Sequence, residues 1–478
     1  MEGRHPSTIL LLGLLTLCVL LAGLTCSHNS PPEILSLTGP ARCAIDSTAE
    51  FKVIAADPEN DSVSYRLSWG DGDTTEWTDW HFHWTYVTAE HSWFRPGIYA
   101  VRAVVRDTRG WESDWSEPVA VTVLARMPGT LRWQAAHGDD VDGAPAIGPD
   151  GTIVFTSYDG RVRALNPDGT LKWFSSTGGH FWRGPTIGPD GTVYAGSSDG
   201  IFHAFKPDGG TLWTYRADSG FISSAALGPN GETYFGTEAG MVHALTPSGD
   251  SSWQHAIGGV AWSPVVGRDG TIYVVSGRNL DALNPDGTQR WRCEVDGNIH
   301  LPAALAADGT IYVGSSGHSC GAFHAVDPDG IVKWQFPLSD YAGSSAAIDS
   351  AGNVYFTMRS YLVYCLGPDG TERWRYRSPQ ALYGTPALGA DGTVYVTGSI
   401  DAETHNVSLL ALSADGKLKW SYYLGGSRTC SPTLGQDSIV YVGSELGLYA
   451  VQAETGPADS PWPMYQHDPQ NTGRATGP

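Results

Sequence analysis

Among the side chains able to carry chemistry, His203, His243 and His324 come first by position, because they occupy one site in three copies of a common repeat. Neutral imidazole is the commonest metal ligand in proteins, but a metal draws its ligands to within about 2 Å of one centre. Equivalent middle-strand positions in different repeats are too dispersed for that, and Asp281 takes the position in the repeat between His243 and His324. The three histidines therefore read as structural. Asp57, Glu59 and Asp61, with Asp71 and Asp73 further on, offer the carboxylate oxygens that calcium needs. Turns demand the same Asp and Gly, and the spacing matches no EF-hand loop, so no metal is expected there. Seven cysteines form no Cys-X-X-Cys pair. Cys43, Cys293, Cys320, Cys365 and Cys430 lie beyond the leader, and their odd number leaves at least one without an internal partner. Cys320 and Cys365 fall in neighbouring repeats, but no disulfide is assigned to them. No Gly-X-Ser-X-Gly elbow sits between a strand and a helix, and no serine stands apart from the many in turns, so no catalytic residue is expected.

The elements that position these residues come from the repeat. Its clearest copy is GPTIGPDGTVYAGSSDGIFHAFKPDGGTLW, Gly184 to Trp213, and its closing tryptophan returns at Trp133, Trp173, Trp253, Trp291, Trp334, Trp374 and Trp420. A period of about 40 residues built of short strands is a β-propeller signature. Each copy reads as four strands, A to D, with Pro-Asp-Gly between A and B and again between C and D. Pro presets φ, Asp bonds back to the turn and Gly takes positive φ. Inner strands begin at Pro145, Pro185, Ala225, Pro264, Ala303, Ala346, Pro386 and Pro432, which implies eight blades. Thr130 to Trp133 is a D strand with no A, B or C before it, and the last repeat lacks a D. The N-terminal strand is therefore expected to complete the last blade and close the ring. The expected fold is all-β: an eight-bladed propeller of four-stranded blades over 128–456, followed by a tail over 457–478.

Two further segments precede it. Arg4 and His5 lead into the apolar run Ile9 to Leu24, a secretory leader over 1–25, too short for a span of about 20 apolar residues. Cys26 follows Gly23, Leu24 and Thr25, an imperfect lipoprotein box, so lipidation at Cys26 and plain secretion both stay open. Over 31–124 the runs FKVIAA, SVSYRLSWGDGD, GIYAVRAVVRD and PVAVTVL alternate with period two, as in an immunoglobulin-like β-sandwich. SWGDGD together with HSWFRPGIYAVRAVVRD resembles a polycystic-kidney-disease (PKD) domain.

The net charge of −21, with no Lys/Arg-rich run, argues against nucleic acid or an anionic membrane as partner. The repeats from Thr130 to Val451 resemble the pyrroloquinoline quinone (PQQ)-like propeller family, whose members include quinoprotein dehydrogenases and a non-catalytic outer-membrane assembly lipoprotein. For the dehydrogenases the resemblance implies a quinone, a calcium and often adjacent cysteines. The chain has no Cys-Cys pair and no evident Glu/Asn/Asp set, so neither PQQ nor calcium is expected. The tail PWPMYQHDPQNTGR, Pro461 to Arg474, resembles a terminal motif of exported members, with Trp462 and Tyr465 as packing anchors.

Comparison among the repeats points to a binding face. The A–B and C–D turns share one face and are monotonously Pro-Asp-Gly. On the other face, the residues just ahead of each A strand differ: Asp142, Trp182, Arg183, Phe221, Trp262, His300, Tyr383 and Arg428. The longer loops from Gly317 to Phe323 and from Ile400 to Leu409 open on this side too. Varied loops on a rigid scaffold suit recognition. The expected function is a non-enzymatic exported interaction protein that binds an envelope protein or a glycan through this face. A quinone-dependent oxidoreductase and a carbohydrate-binding surface protein are the alternatives.

Overall fold

The structure is a computed structural model that describes residues 29–45, 47–136, 140–221, 223–317, 321–379, 381–398, 407–426 and 428–475, with the side chain of Tyr383 outside that set. Cys26, the leader, Cys320 and most of the two long loops lie outside the described residues. No helix among the described residues is long and apolar enough to cross a membrane. The chain divides into two compact units, Met1–Arg126 and Met127–Pro478.

The first unit is a sandwich of two sheets. Glu33–Thr38, Ala49–Ala56 and Val87–His91 form one sheet. Arg42–Ala44, Val119–Leu124, Gly97–Asp107 and Val63–Ser68 form the other, paired in that order. The period-two alternation turns Phe51, Val53, Tyr65, Leu67, Val101, Ala103 and Val105 into the shared core, with Trp69 and Trp93 beside them. The acidic residues separate here. Asp57 spends one oxygen on its own turn, accepting from the Glu59 and Asp61 amides at 3.0 and 2.7 Å. Asp71 and Asp73 instead meet His91, whose Nε2 lies 2.7 Å from Asp71 and whose ring stacks on Trp69.

The described residues of the second unit form eight sheets. The first is Ala146–Ile147, Ile153–Ser157, Arg161–Leu165 and Leu171–Ser176, four antiparallel strands in sequence order. The next six repeat the plan, with an extra short strand, Asn298–Ile299, on the fifth. The last sheet takes Thr433–Leu434, Ile439–Ser444 and Gly447–Gln452 from the end of the chain and Leu131–Ala135 from its beginning. Each A–B hairpin is the turn its residues require. In the first, Gly151 has φ of 80°, the Gly148 amide donates to Thr152 at 2.8 Å, and Asp150 accepts from the Thr152 amide at 3.0 Å.

Neighbouring sheets are joined by one recurring contact. The strand-D tryptophan lies over the glycine of the next C–D turn: Trp133 over Gly169, Trp173 over Gly209, Trp213 over Gly249, Trp253 over Gly287, Trp291 over Gly330, Trp334 over Gly370 and Trp374 over Gly416. Trp420 lies over Gly129, just ahead of the N-terminal strand, so the series returns to its start. Seven of these indoles also donate to the carbonyl of the same turn, at 2.8–3.0 Å.

The tail runs along the inner edges of the sheets. Its carbonyls at Trp462, Pro463, Pro469, Gln470, Thr472 and Gly473 accept from the amides of Ile348, Leu388, Ile147, Ile187, Leu227 and Val266, all on innermost strands, at 2.6–2.9 Å. Six exposed strand edges thereby gain partners, as buried backbone groups must. Trp462 and Met464 are fully buried against the sheets.

His203, His243 and His324 face the joints between sheets, each within its own local contacts. His243 lies 3.0 Å from Asp218, His324 2.9 Å from the Ser315 hydroxyl, and His203 3.4 Å from the Ser197 hydroxyl. Asp281, in the equivalent place, is ion-paired to Arg292 at 2.7 Å. Burial pushes all three imidazoles below the ordinary histidine range, so the fold holds them neutral. The unfolded chain then binds more protons than the folded one once pH drops below about 6.5, and each histidine removes at most about 1.4 kcal/mol of stability per pH unit. A second loss follows below the unfolded aspartate value of about 3.9. Burial opposes ionisation of Asp150, but Lys172 and the hydrogen bonds of Thr152 outweigh it and hold that carboxyl down at about 2. Urea midpoints should fall between pH 7 and 5.5 and fall again below pH 4; a flat response between 7 and 5.5 would contradict the buried neutral histidines.

Candidate binding funnel

The face opposite the Pro-Asp-Gly hairpins opens into an axial cavity of about 470 Å³. Asp142, Arg183, Trp262 and His300 line it together with Tyr341, Arg359 and Tyr465. Four of the residues singled out by repeat comparison therefore converge, although they come from four different sheets. The tail supplies the floor, since Tyr465 lines the cavity while its hydroxyl meets Ser224 at 3.2 Å. The cavity is thus a blind funnel rather than an open channel.

The reason for the convergence is a two-residue step that leads into most of the A strands. Val141, Phe181, Phe221, Ala261, Ile299 and Leu382 are all buried. The residue after each buried one stands at Asp142, Trp182, position 222, Trp262, His300 and Tyr383. Glycines on strand B make room for the buried members: a Cβ at Gly196 would meet Phe221 at 2.7 Å, one at Gly236 would meet Ala261, and one at Gly443 would meet Val141. Phe221 is therefore corrected from a binding residue to a core residue. It is 1% exposed and packs on Phe202 and Phe235, with ring centroids 5.7 and 5.0 Å away. Position 222 and the Tyr383 side chain lie outside the described residues.

The remaining candidates divide. Trp182 is 40% exposed and meets Tyr158 edge-on, outside the set of cavity-lining residues. Arg428 is exposed and lies 3.6 Å from Asp140. Inside the funnel, the Arg183 guanidinium lies over the Trp262 ring at 5.5 Å, and His300 meets the same ring edge-on at 5.7 Å. Burial, aided by the neighbouring Asp140, raises the Asp142 carboxyl above the ordinary range, against the pull of Arg428 and Arg183. Burial lowers His300, which favours its neutral form. Arg359 forms no ion pair with any described residue.

Two lining residues escaped the reading of the repeats. Tyr341 lies just ahead of the A strand at Ala346 but departs from the two-residue step, because it precedes Ala342, the residue seated against the strand-B glycine Gly314. Arg359 sits in the B–C turn of the same repeat, a place where most other copies carry Asp, Glu or Gly and one other carries an arginine, Arg278, which is ion-paired to Glu294. Cys430 also borders the cavity as a free thiol, raised by burial to about 12 and accepting from the Gly443 amide. A thiol so raised is not a nucleophile near neutral pH.

A ring of four-stranded sheets around an axial funnel makes the second unit a β-propeller. Known folds agree: the chain is similar to the computationally designed Ika8 protein (12% identity, 68% of this chain and 100% of that one, TM-score 0.56) and to the Dos1 propeller (11%, 69% and 96%, TM-score 0.55). The chain belongs to the family described as outer membrane protein assembly factor BamB, whose model matches residues 119–260, 238–340 and 321–462. A PKD-domain model matches residues 29–123. BamB from Moraxella catarrhalis is 18% identical over 62% of this chain and 90% of its own, with a TM-score of 0.49. No curated protein matches.

Proposed function

We propose that this chain is a non-enzymatic, exported interaction protein, an eight-bladed propeller that receives a protein partner at the mouth of the blind funnel. The observation that carries the reading is the asymmetry of the two faces. The hairpin face also holds a cavity of about 470 Å³, but the repeated hairpin residues Pro149, Pro189 and Pro229 line it with the tail, while the lining of the opposite funnel differs from sheet to sheet. Membership in a family named for an outer-membrane assembly factor supports a protein partner and an envelope location. The apolar run from Ile9 to Leu24 supports export, with Cys26 as the place for a lipid anchor.

The funnel does not fit the quinone and calcium of the dehydrogenase alternative. Among the described residues its lining offers one carboxylate, Asp142, against two guanidiniums, a balance that disfavours a dication. Cys430 has no second described cysteine beside it. The glycan alternative has less support than a protein partner, because sugars pack on bare aromatic faces and Trp262 already carries Arg183 on its face.

The test is capture from an envelope fraction by wild type, by a mouth variant (Trp262→Ala, Tyr341→Ala, Arg359→Gln) and by a hairpin-face variant (Lys172→Ala, Arg290→Ala), whose two side chains pair with Asp150 and Asp269 of the A–B hairpins. Capture of a defined partner should fall at least tenfold for the mouth variant alone. Undiminished capture by the mouth variant would overturn the reading.

A further inference from the structure

We propose that the funnel recognises a carboxylate, presented by an acidic segment of the partner protein; this rests on the protein-interaction reading above. The chain as a whole carries a charge of −21, so a cavity whose described lining has two guanidiniums and one carboxylate is a local reversal of sign. Arg183 enters from the second sheet and Arg359 from the sixth, four sheets apart in a ring of eight, so they bracket the cavity from opposite sides. Their surroundings differ. Arg183 is engaged with the Trp262 face and lies in the field of Asp142. Arg359 has no carboxylate partner among the described residues, although its guanidinium is a fork made for one.

The rest of the lining narrows the ligand. Trp262 and Tyr341 supply apolar wall, and the Tyr465 floor stops a chain from threading through. A volume of about 470 Å³ accommodates a few side chains or one small molecule. A cationic group entering the same space would face Arg359 without a compensating acid on that side. An acidic loop that inserts one or two carboxylates meets Arg359 on one side of the cavity and Arg183 on the other.

The probes are the peptide acetyl-Gly-Asp-Glu-Asp-Gly-amide, its neutral counterpart acetyl-Gly-Asn-Gln-Asn-Gly-amide, and free glucuronate, titrated calorimetrically into the full chain. The acidic peptide should bind at least tenfold more tightly than the neutral one, Arg359→Gln should remove at least tenfold of that affinity, and Arg359→Lys should restore part of it. Arg359 is exposed, so thermal unfolding of both variants should match wild type. Equal affinity for the two peptides, no measurable binding of the acidic one, or acidic binding indifferent to Arg359→Gln would each overturn the proposal. Tighter binding of glucuronate than of the acidic peptide would overturn it too, as the mark of a sugar-acid site. If the peptides fail while the mouth variant still loses its captured partner, the interaction reading stands and only the carboxylate assignment falls.

Discussion

Gly249→Ala is expected to cost about 2–4 kcal/mol of stability, and Gly258→Ala, nine residues later, about 1–2 kcal/mol. The two glycines share the left-handed backbone, with φ of 87° and 82°, so any L side chain pays the same conformational penalty at both. Their surroundings separate them. A Cβ at Gly258 meets nothing within 4 Å, whereas one at Gly249 would stand 2.5 Å from Cδ2 and 2.8 Å from Cε3 of Trp213. The indole cannot retreat freely, because its N–H is tied to the Pro247 carbonyl of the same turn at 3.0 Å. The excess at Gly249 is therefore the strain with which one sheet-to-sheet joint resists a spacer. Urea midpoints of the two variants measure it, and in a Trp213→Leu background the excess should shrink, since a smaller side chain yields to the new methyl. Equal costs at the two positions would mean that the joint tolerates a spacer and that the tryptophan–glycine contacts do not hold the ring.

That joint also marks how far the sequence could be read. The spacing of Trp133 through Trp420 is visible in the letters, and so is the orphan D strand, which pairs with Gly447–Gln452 in the structure. The glycine of each C–D turn reads as a turn residue alone, because its second role as the seat of a tryptophan belongs to the neighbouring repeat, about forty residues away. The funnel was legible where the step into the A strand alternates cleanly, as at Val141–Asp142 and Ile299–His300. It failed at Phe221, where two large apolar residues stand together and the sequence does not say which is buried; Gly196 on the neighbouring sheet decides it. Arg359 was hidden for a different reason. The B–C turn of another repeat also carries an arginine, Arg278, and an exposed arginine acquires meaning only when Arg183 is found in the same cavity. The tail has no periodicity to betray its course, since much of its attachment runs through backbone carbonyls, which no residue type marks, beside a few side chains such as Trp462, Met464 and Asn471.

Trp462→Ala is expected to cost about 3–5 kcal/mol, the range for emptying a fully buried large aromatic site. The side chain is 1% exposed and belongs to the largest buried cluster, beside Ile348. The loss should extend beyond the cavity, because the carbonyls of Trp462 and Pro463 cap the amides of Ile348 and Leu388 at 2.7 and 2.9 Å. Hydrogen exchange should therefore accelerate at Ile348 and Leu388 before it does at Ile147, Ile187, Leu227 and Val266, whose partners lie further along the tail. Removal of residues 457–478 should accelerate all six together and unfold the ring at lower urea than Trp462→Ala. With a total stability of about 5–15 kcal/mol for an ordinary domain, a loss of this size is a large fraction of the whole. The funnel responds as well: without Tyr465 it has no floor, so the truncated chain should lose affinity at the mouth even under conditions where the sheets remain folded. If Trp462→Ala costs less than 1 kcal/mol and leaves exchange at Ile348 and Leu388 unchanged, the ring is complete without the tail, and the inner strand edges must find their partners in water.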